Sequence, residues 1–109
     1  MTENQEFPFD FEFYNETSLP DAEYYDTAYA QITDLAKGHN DITGASVSLE
    51  ELSSEETPHA YQARVVLYVR PTNMVATEKM PSALDALQNA LEAAKKQVRE
   101  KREKLSSHL

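Results

Sequence analysis

Eight cations stand where long, flexible side chains could meet a run of phosphates. Arg64 and Arg70 bracket a hydrophobic stretch, Lys79 follows nine residues on, and Lys95, Lys96, Arg99, Lys101 and Arg102 fall within the last fifteen positions. A rigid row of such side chains can follow an RNA phosphate ridge, which favours shape over base sequence. Tyr68, between the two arginines, offers a ring to a base or to a guanidinium. Cations near a helix C-terminus also offset the negative end of the helix dipole, so part of the row has a purely structural explanation.

No other chemistry assembles along the chain. His39, His59 and His108 have neither HxxxH nor HExxH spacing, and cysteine is absent, so no metal site and no thiolate nucleophile is expected. The two glycines, Gly38 and Gly44, cannot form a phosphate-cradling loop, and no GxSxG elbow occurs. Glu50-Glu51 and Glu55-Glu56 lie in or beside a polar loop; they read as solvated carboxylates or as a loose cation-holding cluster. Of Tyr24, Tyr25 and Tyr29, the spacing sends Tyr25 and Tyr29 to the core or its edge and leaves Tyr24 outward. The expectation is a binding protein without a cofactor and without catalytic activity.

The elements that must hold these residues follow from the hydrophobic period. Phe7, Phe9, Phe11 and Phe13 alternate with polar residues, which predicts a half-buried strand. Ser18-Leu19-Pro20-Asp21 predicts a helix start capped by Ser18, with Pro20 in the first turn. Tyr25, Ala28, Tyr29, Ile32 and Leu35 or Ala36 form its apolar stripe, and Gly38 ends it. A second strand is predicted from Ile42 to Leu52, with Ala45, Val47 and Leu49 on one face and Ser46, Ser48 and Glu50 on the other. After the polar loop 53–58, a third strand from His59 to Arg70 turns Tyr61, Ala63, Val65, Leu67 and Val69 inward, and Pro71-Thr72-Asn73 connects it to a fourth from Met74 to Lys79.

Pro81 opens a last helix reaching about Ser106. Leu84, Leu87, Leu91, Ala94 and Val98 line one side of it, and pairs such as Glu92 with Lys96 and Glu100 with Lys104 lace its surface. The order β-α-β-β-β-α predicts an α+β, two-layer sandwich: a four-stranded mixed sheet with both helices on one face. The helical crossover makes the first two strands parallel, and the short connections make the later pairs antiparallel. The whole chain, residues 1–109, reads as one domain, with 1–6 expected to be disordered and 99–109 a protruding helix end.

Charge is divided along the chain. The formal net charge is −9, yet residues 1–58 hold fourteen acids and one base, Lys37, whereas 59–109 hold nine bases and five acids. The average argues against a nucleic-acid partner; the split fits a basic binding element mounted on an acidic body, or simply an acidic surface with an ordinary basic helix end. No apolar run approaches a membrane span and the N-terminus is acidic and polar, unlike a signal peptide, so no membrane partner and a cytoplasmic address are expected.

The element order, and the stretch from Val65-Val66-Leu67-Tyr68-Val69 to Leu105, resemble the ribosome hibernation promoting factor family, also called ribosome-associated inhibitor A or sigma-54 modulation proteins. Ala76-Thr77-Glu78-Lys79-Met80 and Ala83-Leu84-Asp85 stand where that family has a strand ending in Ala-x-x-Glu and then Ala-Ile-Asp before a long basic helix. The resemblance implies a fold like a double-stranded-RNA-binding domain. It also implies a non-catalytic hibernation factor on the small ribosomal subunit that inhibits translation, with no DNA partner. The bases of the last helix, Lys95, Lys96, Arg99, Lys101 and Arg102, would touch 16S-type rRNA, and beside them Arg64, Tyr68, Arg70 and Lys79 are expected from their spacing to join the same surface.

The chain is similar to the short family members, without the extra dimerisation domain of the long ones. It departs from the family at Ala90-Leu91-Glu92-Ala93-Ala94-Lys95, where a Lys-Leu-x-Arg-Gln-Leu turn is usual. Two implied phosphate contacts, at Ala90 and Ala93, are therefore missing, and contact moves towards the helix tip. A second reading is a divergent member that has lost the ribosome and binds another protein through its acidic surface.

Overall fold

Alternation of phenylalanine with charged residues at the start of the chain produces a strand, β1 (Asp10–Glu16), whose Phe11 and Phe13 are half-buried while Asp10, Glu12, Tyr14 and Glu16 are exposed. A computed structural model describes residues 9–39, 41–52, 60–70 and 72–107, the last six by backbone alone. The expected disorder of 1–6, the strand start at Phe7, the loop 53–58, His59, Pro71 and His108 lie outside the described residues.

The remaining elements are α1 (Ala22–Lys37), β2 (Ile42–Glu51), β3 (Tyr61–Val69), β4 (Met74–Met80) and α2 (Ala83–Ser107). The strands form one sheet in the order β1-β2-β3-β4. The β1–β2 pair is parallel and the other two pairs are antiparallel, as the crossover and the short connections require. The architecture is the α+β β-α-β-β-β-α sandwich expected from the period of the apolar residues.

The core lies between the sheet and the helices. Ala45, Val47 and Leu49 of β2, Ala63, Val65, Leu67 and Val69 of β3 and Ala76 of β4 are buried against Ala28, Ile32 and Ala36 of α1 and against α2. Each fully buried leucine or valine there contributes about 1.5–3 kcal/mol by leaving water. A register shift between Ile42 and Gly44 lets Ile42 join the same buried side.

Three local expectations are corrected. Ser18 does not cap α1: its backbone N–H donates to Glu51 Oε1 at 3.1 Å, and the helix starts at Ala22 behind Asp21. Asp21 makes no side-chain cap bond either, because its Oδ1 accepts from Asn15 Nδ2 at 2.7 Å. The connection is held by side chains instead: the same Asn15 amide donates to the Leu19 carbonyl at 2.8 Å, and Thr17 Oγ1 accepts from the Leu19 N–H at 3.0 Å. Gly38 does end the helix, donating to the Leu35 carbonyl, but at φ −93° it needs no glycine-specific backbone.

The second correction concerns the tyrosines. Tyr24 packs against the core, while Tyr25 and Tyr29 are 39% and 44% exposed. Their rings stack on each other at 5.8 Å and meet Phe11 edge-on at 5.4 and 5.2 Å. The rim of the core over β1 is thus an aromatic cluster rather than a closed stripe, because β1 is the sheet edge and nothing described lies beyond it.

The third concerns the strand ends. β1 continues through Glu16, and β3 ends at Val69 rather than Arg70, where Asn73 Oδ1 accepts the Val69 N–H at 3.2 Å.

Candidate nucleic-acid interface

Ser82 sets the start of α2: its Oγ accepts the Asp85 N–H at 3.3 Å and its carbonyl accepts the Ala86 N–H at 3.0 Å. Asp85 then places a carboxylate in the first turn, where the dipole favours it. From there the buried stripe runs Ala83, Ala86, Leu87, Ala90, Leu91, Ala94 and Val98. Alternation of alanine with larger side chains lets the helix sit close on β3 and β4. Leucine spacing identifies Leu87 and Leu91 and passes over most of the alanines, which carry a weak hydrophobic signal, while the expected Leu84 is only half-buried.

Ala90 is fully buried, and this revises the departure at that position. A side chain aimed into the sheet cannot reach a phosphate, so Ala90 is core here and no phosphate contact is lost there. Ala93 is half-buried and packs against the same core.

The exposed side of α2 holds the cations. Lys96 and Arg99 are exposed. Lys95 is half-buried and pairs with Glu92 at 3.5 Å, so Glu92 serves Lys95 rather than the expected Lys96. Lys101 is engaged within the molecule, since its Nζ donates to the Arg70 carbonyl at 2.8 Å and lies 3.2 Å from Asp41 Oδ2. One side chain thereby ties α2 to the start of β2 and to the end of β3. Gln97 adds a bond from its Nε2 to the Val75 carbonyl at 3.0 Å, which occupies an acceptor on the edge strand β4. The backbone of Arg102 continues the helix; its side chain lies outside the described residues.

The other predicted residues stand elsewhere. Arg64 and Lys79 are exposed on the face of the sheet opposite α2, since Ala63, Val65 and Ala76 beside them point to the core. Tyr68 shares that face. Its ring lies over Gly44, where a β-carbon would come within 3.1 Å of Tyr68 Cδ2, and its hydroxyl donates to Glu12 Oε1 at 3.4 Å. Glu12 also raises the pKa of Tyr14, first through its negative charge and then with desolvation, a hydrogen bond and Tyr68 as lesser causes. Arg70 is exposed just past β3, close to Lys101. The predicted set is therefore divided: Lys95, Lys96, Arg99, Lys101 and Arg70 gather along α2 and its contact with the sheet end, and Arg64, Tyr68 and Lys79 lie across the sheet from them.

Strand order converts the charge split of the sequence into a split in space. Because the strands stand in chain order, β1, β2 and α1 with their acids form one flank, and β3, β4 and α2 with most of the cations form the other. Among the described residues no group of histidines and carboxylates is placed to hold a metal ion, and no helix is long and apolar enough to cross a membrane.

No family model matches the chain, and no curated protein does. Among solved structures, the N-terminal domain of protein Y from Thermus thermophilus is similar with a TM-score of 0.65 at 16% identity, over 82% of this chain and 93% of that one. A ribosomal subunit interface protein from Coxiella burnetii is similar with a TM-score of 0.65 at 3% identity, over 84% of this chain and 97% of the other. At such identities the likeness is one of fold, and the chain has the β-α-β-β-β-α fold of the protein Y N-terminal domain.

Proposed function

We propose that this protein is a ribosome-associated hibernation factor that binds the small ribosomal subunit and inhibits translation without catalysing a reaction. The observation that carries the reading is the cationic side of α2, with Lys96 and Arg99 exposed beside Lys95, mounted on the basic flank of this fold. The fold it shares is that of a protein Y domain and of a ribosomal subunit interface protein, which supports the same partner.

In this reading the α2 ridge follows 16S-type rRNA phosphates, with Lys95, Lys96, Arg99 and Arg102 as principal contacts and Arg70 at their margin. The acidic flank stays turned away from the RNA. Arg64, Tyr68 and Lys79, on the other sheet face, make no contact with the same ridge.

Co-sedimentation with 30S and 70S ribosomes tests the proposal. The protein pellets with both at low salt and is released as salt rises, because phosphate neutralisation is coupled to counterion release. A protein that stays in the supernatant at low salt overturns it.

A further inference from the structure

The uncovered face of the sheet is complementary to itself. Glu12 and Glu16 are exposed on β1 at one edge, and Arg64 and Lys79 are exposed on β3 and β4 towards the other. Relief varies in the same direction. On this face β2 presents Gly44, Ser46 and Ser48, a trough that ends at the exposed Glu50, and β3 presents the larger Gln62, Arg64, Val66 and Tyr68, a ridge. Apolar surface remains on both edge strands, with Tyr14 50% and Val75 43% exposed.

We propose that this face pairs with the same face of a second copy about a two-fold axis running along the strands between β2 and β3. The operation lays β1 of each copy over β4 of the other and β2 over β3. From the register, Glu16 then comes over the partner's Lys79, and Ser46 and Ser48 come over the partner's Val66 and Arg64. Glu16 meets Lys79 twice, once on each side of the axis, while Glu12 comes over Val75 and Glu50 over Gln62. Trough meets ridge under the same operation, so this charge pair and the shape select one axis. The alternative two-fold, across the strands, stacks β1 on β1 and β3 on β3, which sets acid against acid and ridge against ridge. Twisted sheets that pack face to face turn by about 30°, a rotation that moves these neighbours by no more than about one strand spacing.

Area and charge set the strength. Four strands about 4.8 Å apart and about seven residues long give a footprint of several hundred Å² per copy. Two copies therefore bury an area near the lower limit of about 1,000 Å² for a specific interface. Each copy also carries a net charge of −9, so the pair forms against overall repulsion. The expected product is a reversible dimer in the micromolar range. It leaves α2 on the outer side of both copies, and neither the proposal nor its test depends on ribosome binding.

Sedimentation velocity of the full chain from micromolar to near-millimolar concentration tests it. The unaltered chain passes from monomer to dimer across that range. A variant carrying Glu12→Lys and Glu16→Lys, and another carrying Arg64→Glu and Lys79→Glu, each dimerise at least about tenfold more weakly, since like charges then face each other. An equimolar mixture of the two recovers dimerisation, because each cationic β1 meets an anionic β4. All four positions are exposed, and far-UV circular dichroism verifies that both variants are folded. A monomer throughout the range, variants that dimerise like the original, or a mixture that fails to associate each overturns the proposal.

Discussion

Gly44 is the residue whose side-chain space is most tightly held. A β-carbon there would lie 2.7 Å from the Asp10 carbonyl oxygen, 3.0 Å from Asp10 Cβ and 3.1 Å from Tyr68 Cδ2. The nearest of these atoms is backbone of the paired strand, which cannot swing aside, so Gly44→Ala forces β1 from β2 or displaces the Tyr68 ring. The expected cost is about 1–3 kcal/mol, seen as a lower denaturant midpoint at unchanged slope. A midpoint equal to that of the unaltered chain contradicts the close approach. Nothing in the sequence announces this role: a glycine in a strand signals a bulge or a near neighbour in general, and the neighbour becomes known only when β1 is laid beside β2. Tyr68 is a similar case. Its position beside two arginines suggests a free ring, whereas the register sets it over Gly44 and hands its hydroxyl to Glu12.

At the scale of elements, periodicity locates buried faces as far as side-chain size allows. Strand faces with strict alternation, such as Ala45, Val47 and Leu49, are buried as the pattern requires. On α1 the expected Ala28, Ile32 and Ala36 are buried, but Tyr24 rather than Tyr25 packs against the core. Tyr25 and Tyr29 stay at its rim, because a tyrosine counts as apolar whether or not an element exists to cover it. The sheet ends at β1, so those rings cover one another and Phe11 instead.

On α2 the alanines decide how close the helix lies. Ala90→Lys is expected to destabilise the fold by about 3 kcal/mol or more, by overpacking and by drawing a charge into the core, instead of adding a phosphate contact. Thermal unfolding measures this directly, and an unchanged melting temperature would show position 90 to be outward. Lys101 acts differently, since its bonds to Asp41 and the Arg70 carbonyl are partly exposed. Lys101→Ala should change global stability by less than about 1 kcal/mol while speeding amide exchange in the last turns of α2. Protection unaltered in those turns would remove its role as a clamp.

For the whole molecule, chain order and strand order coincide, and this gives the net charge of −9 its meaning. A nearest-neighbour sheet keeps the acidic N-terminal half and the basic C-terminal half side by side, so an acidic protein can still offer RNA a cationic flank. The division of charge is legible in the sequence. The division of the cations between two sheet faces is not, because linear spacing does not tell which face of a sheet a helix will cover.

The central claim is that the α2 ridge, and not the opposite sheet face, meets the ribosome. Co-sedimentation with 30S subunits at low salt tests it most directly, comparing a variant in which Lys95, Lys96, Arg99 and Arg102 are replaced by Glu with one in which Arg64 and Lys79 are. The account predicts that the first variant stays in the supernatant while the second pellets like the unaltered protein. Pelleting of the first, or release of the second alone, would contradict it.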